Sequence, residues 1–218
     1  MIRIFKQNAF SLIEVLTVMT IIAILAALLF PVFSSSKSRA EREVCASNLH
    51  QIGIATNLYL QDYDEVYPHA VTLWDRNHPA LLVCSPQNLK DVSSIPIINV
   101  VLRPYLHSDI IFKCPSDDGI TNRIGPPILP SMFAYGGDGS SYEFETLLDN
   151  QSSTCFLHPS LDEYAMDSDG TWHTYSTADF FHQAENMLFI DNHIKFIYPS
   201  IDYYNIAVLD CSAGASNE

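Results

Sequence analysis

From Phe10 to Phe30 the chain is almost unbroken hydrocarbon, mostly Leu, Ile, Val, Ala and Phe, interrupted only by Ser11, Glu14, Thr17 and Thr20. At about 1.5 Å of rise per residue this block spans about 30 Å as a helix, the thickness of a bilayer's apolar interior. After Ser34, Ser35 and Ser36 the pattern changes. Ala40, Val44, Cys45, Leu49, Ile52, Ala55, Leu58 or Tyr59, and Tyr63 recur at three- and four-residue steps. Ser38, Arg39, Glu41, Arg42, Glu43, Asn48 and Gln51 fill the opposite face, so this stretch is an amphipathic helix that needs a partner surface. The simplest prediction is one helix from about Phe10 to Asp62, about 80 Å long, with Pro31 and Gly53 as its bending points.

Beyond it the pattern is broken by Pro and Gly. The DEVYPH segment closes the helix, with Pro68 as a stop. Residues 71–104 mix apolar runs with Pro79, Pro86 and Pro96 and predict irregular chain with one short helix. Ile110 to Cys114 predicts a short strand before the Pro115–Gly119 turn, and Ser131 to Tyr142 predicts a loop. The clearest strand signal is late. Asn186–Ile190 and His193–Tyr198 flank Asp191-Asn192, a pair that tolerates positive φ, and together they predict a hairpin with a two-residue turn. The fold class is therefore α+β: a long helix whose outer half lies on an antiparallel sheet. Residues 1–9 form a polar leader, 10–33 a membrane helix, 34–64 its amphipathic continuation and 65–218 a soluble head.

Glu14 changes the reading of the apolar block. A carboxylate in a membrane-length run costs several kcal/mol unless something neutralises it, which makes it a functional position by default. A secretory signal peptide is the plainer alternative, with Arg3 and Lys6 as its positive start. The run is too long for that, no small-x-small cleavage site follows it, and Glu14 has no role there.

Ala9-Phe10-Ser11-Leu12-Ile13-Glu14 resembles the processing site of type IV prepilins and type II secretion pseudopilins. The resemblance implies cutting after Ala9 by a prepilin peptidase and N-methylation of the new terminus at Phe10. It also implies pairing of Glu14 with the Phe10 amino group of a neighbouring subunit, a charge pair in place of an orphan in lipid. Pro31 matches a proline common in that family, and Ala9 stands where Gly is usual. Three further blocks, Cys45–Pro68, Tyr105–Asp117 and Phe181–Ile197, resemble large prepilin-like proteins related to the major pseudopilin, although Asn192 replaces the glycine of their Asp-Gly-His ending. The implied partners are other pilin-like subunits in a homo- or hetero-filament, prepilin peptidase and inner-membrane lipid. The leader would be cytoplasmic and the head periplasmic, then carried on a periplasmic or cell-surface filament. A membrane-tethered binding module using the same start is the alternative.

Net charge is −14, and beyond Pro68 nineteen Asp and Glu face six Lys and Arg. So acidic a head argues against nucleic-acid binding. Five cysteines without a C-x-x-C favour disulfides in an exported head over zinc-ribbon or thioredoxin chemistry. Cys45 and Cys114 both lie in the family-like blocks and are the first choice for a bridge, with Cys211 as the leftover thiol. No cofactor is expected. Calcium is the one metal candidate, at Asp167 and Asp169 beside Asp162, Glu163 and Gly170, where a solvated loop is the plainer account. His173, His182 and His193 lack helical metal spacing, the Gly136–Gly139 cluster is a turn rather than a phosphate cradle, and no nucleophile stands with a base. An enzyme is not expected.

Overall fold

The computed structural model describes residues 11–72, 76, 92–117, 119, 139–145, 148–156, 158–168, 172–173 and 184–197. The leader, Ala9, Phe10, Cys84, residues 136–138 of the glycine cluster, Asp169, Gly170, His182 and Cys211 lie outside them. The molecule divides after Ala40 into two units.

One helix, α1, runs Leu12–Asp62. Its first turn is closed by the Glu14 carboxylate, which accepts from the Ser11 N–H at 2.9 Å and supplies negative charge where helix N–H groups are unpaired. The helix ends at Asp62, before Pro68 is reached. Asp64 and Glu65 adopt left-handed φ values of 54° and 60°, and the Glu65 N–H reaches back to the Leu60 carbonyl at 2.8 Å. That is a Schellman-type closure. The stop is thus local backbone geometry, and Pro68 follows it.

In the second unit, four strands form one antiparallel sheet in the order β1 Tyr142–Phe144, β2 Glu163–Asp167, β3 Glu185–Phe189 and β4 Ile194–Ile197. The predicted hairpin is present as β3–β4, with Leu188 opposite Ile194 and Glu185 opposite Ile197. Its connection is longer than two residues. The Phe189 N–H bonds to the His193 carbonyl, the Asn192 N–H bonds to the Phe189 carbonyl, and Asn192 sits at φ 69°. A three-residue loop of this kind needs one left-handed position, and Asn192 supplies it.

Two strands were hidden in the sequence. β1 lies where a loop ends, and β2 lies inside the acidic stretch expected to be solvated. Conversely, the strand expected at Ile110–Cys114 is a 3₁₀ turn, Asp109–Phe112, and this corrects the sequence reading. The Ser108 hydroxyl accepts from the Ile110 N–H and starts the turn, and Ile111 and Phe112 are buried side by side. A strand would have pointed them to opposite faces. Between residues 92 and 105 the short helix α2, Ile98–Leu102, stands between 3₁₀ turns at Val92–Ser94 and Arg103–Tyr105.

The core lies between the Glu41–Asp62 part of α1 and the sheet. Cys45, Leu49, Ile52 and Leu60 meet Leu102, Phe112, Tyr142, Tyr164, Ala165 and Leu188. Two polar side chains of α1, Asn48 and Thr56, fix the helix against the rest of this unit. Asn48 Nδ2 donates to the Lys113 carbonyl (2.9 Å) and the Tyr142 hydroxyl (3.2 Å), and the Thr56 and Tyr164 hydroxyls share a 2.8 Å hydrogen bond. At Gly53 the hairpin loop approaches so closely that a Cβ would collide with the Asn192 side-chain amide and crowd Leu188 Cδ1. Arg42 lies 4.4 Å from the centre of the Phe196 ring, a cation–π contact at the sheet's last strand.

Candidate functional site

The N-terminal part of α1 presents hydrocarbon to its surroundings. Leu12, Phe30 and Phe33 are among its most exposed side chains, and the whole apolar stretch is unburied. Its hydroxyls satisfy themselves: Thr17 Oγ1 donates to the Glu14 carbonyl (3.0 Å), Thr20 Oγ1 to the Thr17 carbonyl (2.8 Å) and Ser35 Oγ to the Val32 carbonyl (3.0 Å). A helix built this way is long and apolar enough to cross a membrane. Glu14 is the lone charged side chain between Ser11 and Ser36, and it is exposed. Pro31 sits inside the helix. The cut site expected at Ala9 and Phe10 lies outside the described residues.

A second constellation lies deep in the head. The structure bonds Cys45 of α1 to Cys114, which follows the 3₁₀ turn, joining positions 69 residues apart. Against this bridge stands a buried pair. His173 Nε2 lies 3.1 Å from Asp167 Oδ2 and 3.7 Å from Cys114 Sγ, and both side chains are fully shielded from solvent. The backbone and side-chain nitrogens of Asn186 each donate to the same Asp167 oxygen at 2.9 Å. Asp167 Oδ1 and His173 Nδ1 are buried without hydrogen-bond partners among the described residues. Donor atoms of Cys45, Cys114, Asp167 and His173 all lie within 4.8 Å of one another.

Local structure explains how these residues arrive together. Cys45 occupies the buried stripe of α1, one turn before Leu49. Cys114 is held by the turn that follows it, where the Asp117 N–H bonds to the Cys114 carbonyl (3.1 Å) and Asp117 Oδ2 accepts from Ser141 Oγ (2.6 Å). Asp167 ends β2, opposite Tyr142 of β1. Beside His173, the Trp172 indole N–H donates to the Gly119 carbonyl at 3.1 Å and ties this segment to the same turn.

Asp167 was singled out for calcium, and the structure places it inside the head, facing His173. Of its expected neighbours, Asp162 precedes β2 and Glu163 starts it, while Asp169 and Gly170 lie outside the described residues. His193 pairs with Asp191 at the hairpin loop and lies apart from His173. Cys155 is a free, exposed thiol. Sequence reasoning missed a further buried acid, Asp149, which accepts from the Ala70 N–H and from His69 Nδ1, both at 3.0 Å. Burial pushes the Asp149 carboxyl above the usual carboxylate range, and the His69 hydrogen bond only partly offsets this. Its one signal is the acid itself, directly after the apolar pair Leu147-Leu148.

Residues 4–30 match the family model described as the prokaryotic N-terminal methylation motif. That match supports a type IV pilin-like protein, a substrate of prepilin peptidase anchored in the membrane by the apolar helix. No curated protein and no solved structure matches the chain.

Proposed function

We propose that this chain is a structural subunit of a type IV pilus or a type II secretion pseudopilus. In this reading prepilin peptidase cuts between Ala9 and Phe10 on the cytoplasmic side and N-methylates Phe10, and the head is periplasmic. The subunit then leaves the inner membrane by packing its apolar helix among those of other pilin-like subunits.

The observation that carries the reading is one coincidence. The methylation motif at residues 4–30 overlies an exposed apolar helix whose one charge is Glu14. At the centre of a membrane helix a carboxylate costs about 2.5–3.5 kcal/mol on insertion scales. In this reading the Glu14 carboxylate at the first turn meets an ammonium group, the Phe10 amine that the cut makes on a neighbouring subunit. Pro31 lies in the part of the helix that would enter the filament.

Mass spectrometry of the mature N-terminus tests this directly. The expected species begins at Phe10 and is heavier by one methyl group. An intact Met1, or a cut beyond Phe30, would refute the assignment. The alternative is a membrane-tethered extracellular binding module that uses the pilin-type start only for export and anchoring. Shearing separates the two: a filament subunit is released in polymeric form and Glu14→Ala abolishes that release, whereas a tethered module stays in the membrane fraction in both cases.

A further inference from the structure

We propose that the Cys45–Cys114 position is also a zinc site: with the bridge reduced, the two thiolates, Asp167 and His173 bind one Zn²⁺ in the core of the head. This inference is independent of whether the subunit enters a filament. Three observations point to it.

First, the donor set is that of a tetrahedral zinc site, two sulfurs with one imidazole and one carboxylate. Zinc's bond lengths place neighbouring tetrahedral ligands about 3.3–3.8 Å apart. His173 Nε2 already stands 3.7 Å from Cys114 Sγ, within that range, and one donor atom from each of the four residues falls within 4.8 Å of the others. Second, the carboxylate is under-used. Asp167 is fully buried, yet Oδ1 has no partner among the described residues, and a buried acceptor left unpaired is destabilising. Third, Asn186 grips the other oxygen through two donors, the kind of outer contact that orients a ligating carboxylate.

The four ligands come from α1, the segment after the 3₁₀ turn, β2 and the segment that carries Trp172. A metal there would join the same parts of the head that the disulfide now joins. The chemistry balances with a dithiol as reductant. Its two sulfurs form a disulfide, and the two electrons and two protons they release convert Cys45 and Cys114 into thiols. Zn²⁺ then replaces both thiol protons, which leave to solvent. Disulfide and metal are mutually exclusive occupants of one place.

The test uses the full-length chain in detergent micelles with Cys84, Cys155 and Cys211 replaced by Ser, so that Cys45 and Cys114 are the remaining thiols. After reduction by a phosphine, Co²⁺ serves as a spectroscopic stand-in for Zn²⁺. One Co²⁺ per chain is expected, with a thiolate-to-cobalt charge-transfer band and intense tetrahedral visible bands. Zn²⁺ displaces it, and the oxidised chain shows neither band. His173→Ala and Asp167→Asn each weaken Co²⁺ binding at least about tenfold, since even an outer-shell partner is worth that much. Should those variants fail to fold, thiol protection in the parent chain decides: Zn²⁺ should block alkylation of both thiols. Absence of the bands in the reduced parent overturns the proposal, as do bands unchanged in a folded His173→Ala variant or thiols alkylated equally fast with and without Zn²⁺.

Discussion

Gly53 is the point where helix and hairpin come closest, and replacing it sets two effects of similar size against each other. In a helix interior Ala is favoured over Gly by about 0.8–1 kcal/mol. The new methyl group, however, would enter space held by the Asn192 side-chain amide and would stand 3.2 Å from Leu188 Cδ1. Overpacking a well-filled site costs about 1–3 kcal/mol. Gly53→Ala alone should therefore be neutral to destabilising by about 2 kcal/mol, although the substitution is nominally favourable for the helix. Asn192→Gly removes the colliding amide while preserving the loop, because Gly adopts the required φ of 69° without strain. It also deletes a buried oxygen, Asn192 Oδ1, that has no partner among the described residues. The double variant should recover the helix gain, giving a favourable coupling of about 1–2 kcal/mol. Urea denaturation of the detergent-solubilised chain, followed by tryptophan fluorescence for wild type, both singles and the double, measures that coupling. Additivity within about 0.5 kcal/mol, the behaviour of residues that do not touch, would refute the close approach.

The disulfide closes a loop of 69 residues, for which chain-entropy arguments give a stabilisation of about 4 kcal/mol. Reduction in the presence of a chelator should lower the urea-derived stability by about that amount, and a loss under 1 kcal/mol would contradict the argument. The raised pKa of Asp149 means that the folded head holds this proton more tightly than the unfolded chain does. Its contribution is complete below the unfolded value of 3.8 and is lost as pH rises through the folded value. Asp149→Asn should thus reduce the fall in stability across that interval, and urea midpoints parallel to wild type at every pH would count against it. Burial first, and the nearby Glu65 second, push Tyr67 up to about 12, so its contribution holds below the unfolded value of 10.0 and disappears as pH rises through about 12. Ultraviolet titration should show Tyr67 ionising after the exposed tyrosines, and its loss from the late phase in Tyr67→Phe checks the assignment. Tyr164→Phe removes the hydroxyl that bonds Thr56 and should cost about 1 kcal/mol in the same urea assay.

What could be read from the chain was what is written locally. The apolar run, Glu14 near its start and the three-four periodicity through Tyr63 specify α1 almost to its ends, because helix periodicity depends on neighbours within two turns. The β3–β4 hairpin was legible for the same reason: an αL-tolerant Asn lies between two apolar runs. The misreadings share a cause too. Ile110–Cys114 has strand-like composition, yet Ser108 caps a 3₁₀ turn there, and a single hydroxyl outweighs a weak propensity. β2 was concealed by its acids. Glu163 and Asp167 at its two ends make it look like solvated loop, whereas Tyr164, Ala165 and Asp167 all point into protein.

Asp167 therefore breaks the usual pattern twice over, as a buried acid at the end of a strand and as a carboxylate with one oxygen unpaired among the described residues. Such violations persist where something compensates for them. At the N-terminus the same logic applies to Glu14, whose signal, a carboxylate at the start of an apolar run, is written locally along the chain. For Asp167 the candidate partners lie at positions 45, 114 and 173, and only the folded sheet brings them within reach. Sequence spacing could flag Asp167 and His173 separately, one for calcium and one among scattered histidines. Neither flag could find the other, because the sheet pairing that places β2 beside Cys45 and Cys114 is long-range information. The buried cluster and the exposed helix are thus parallel cases: each holds a carboxylate that breaks an apolar pattern, legible at Glu14 from its sequence neighbours and at Asp167 only from the folded sheet.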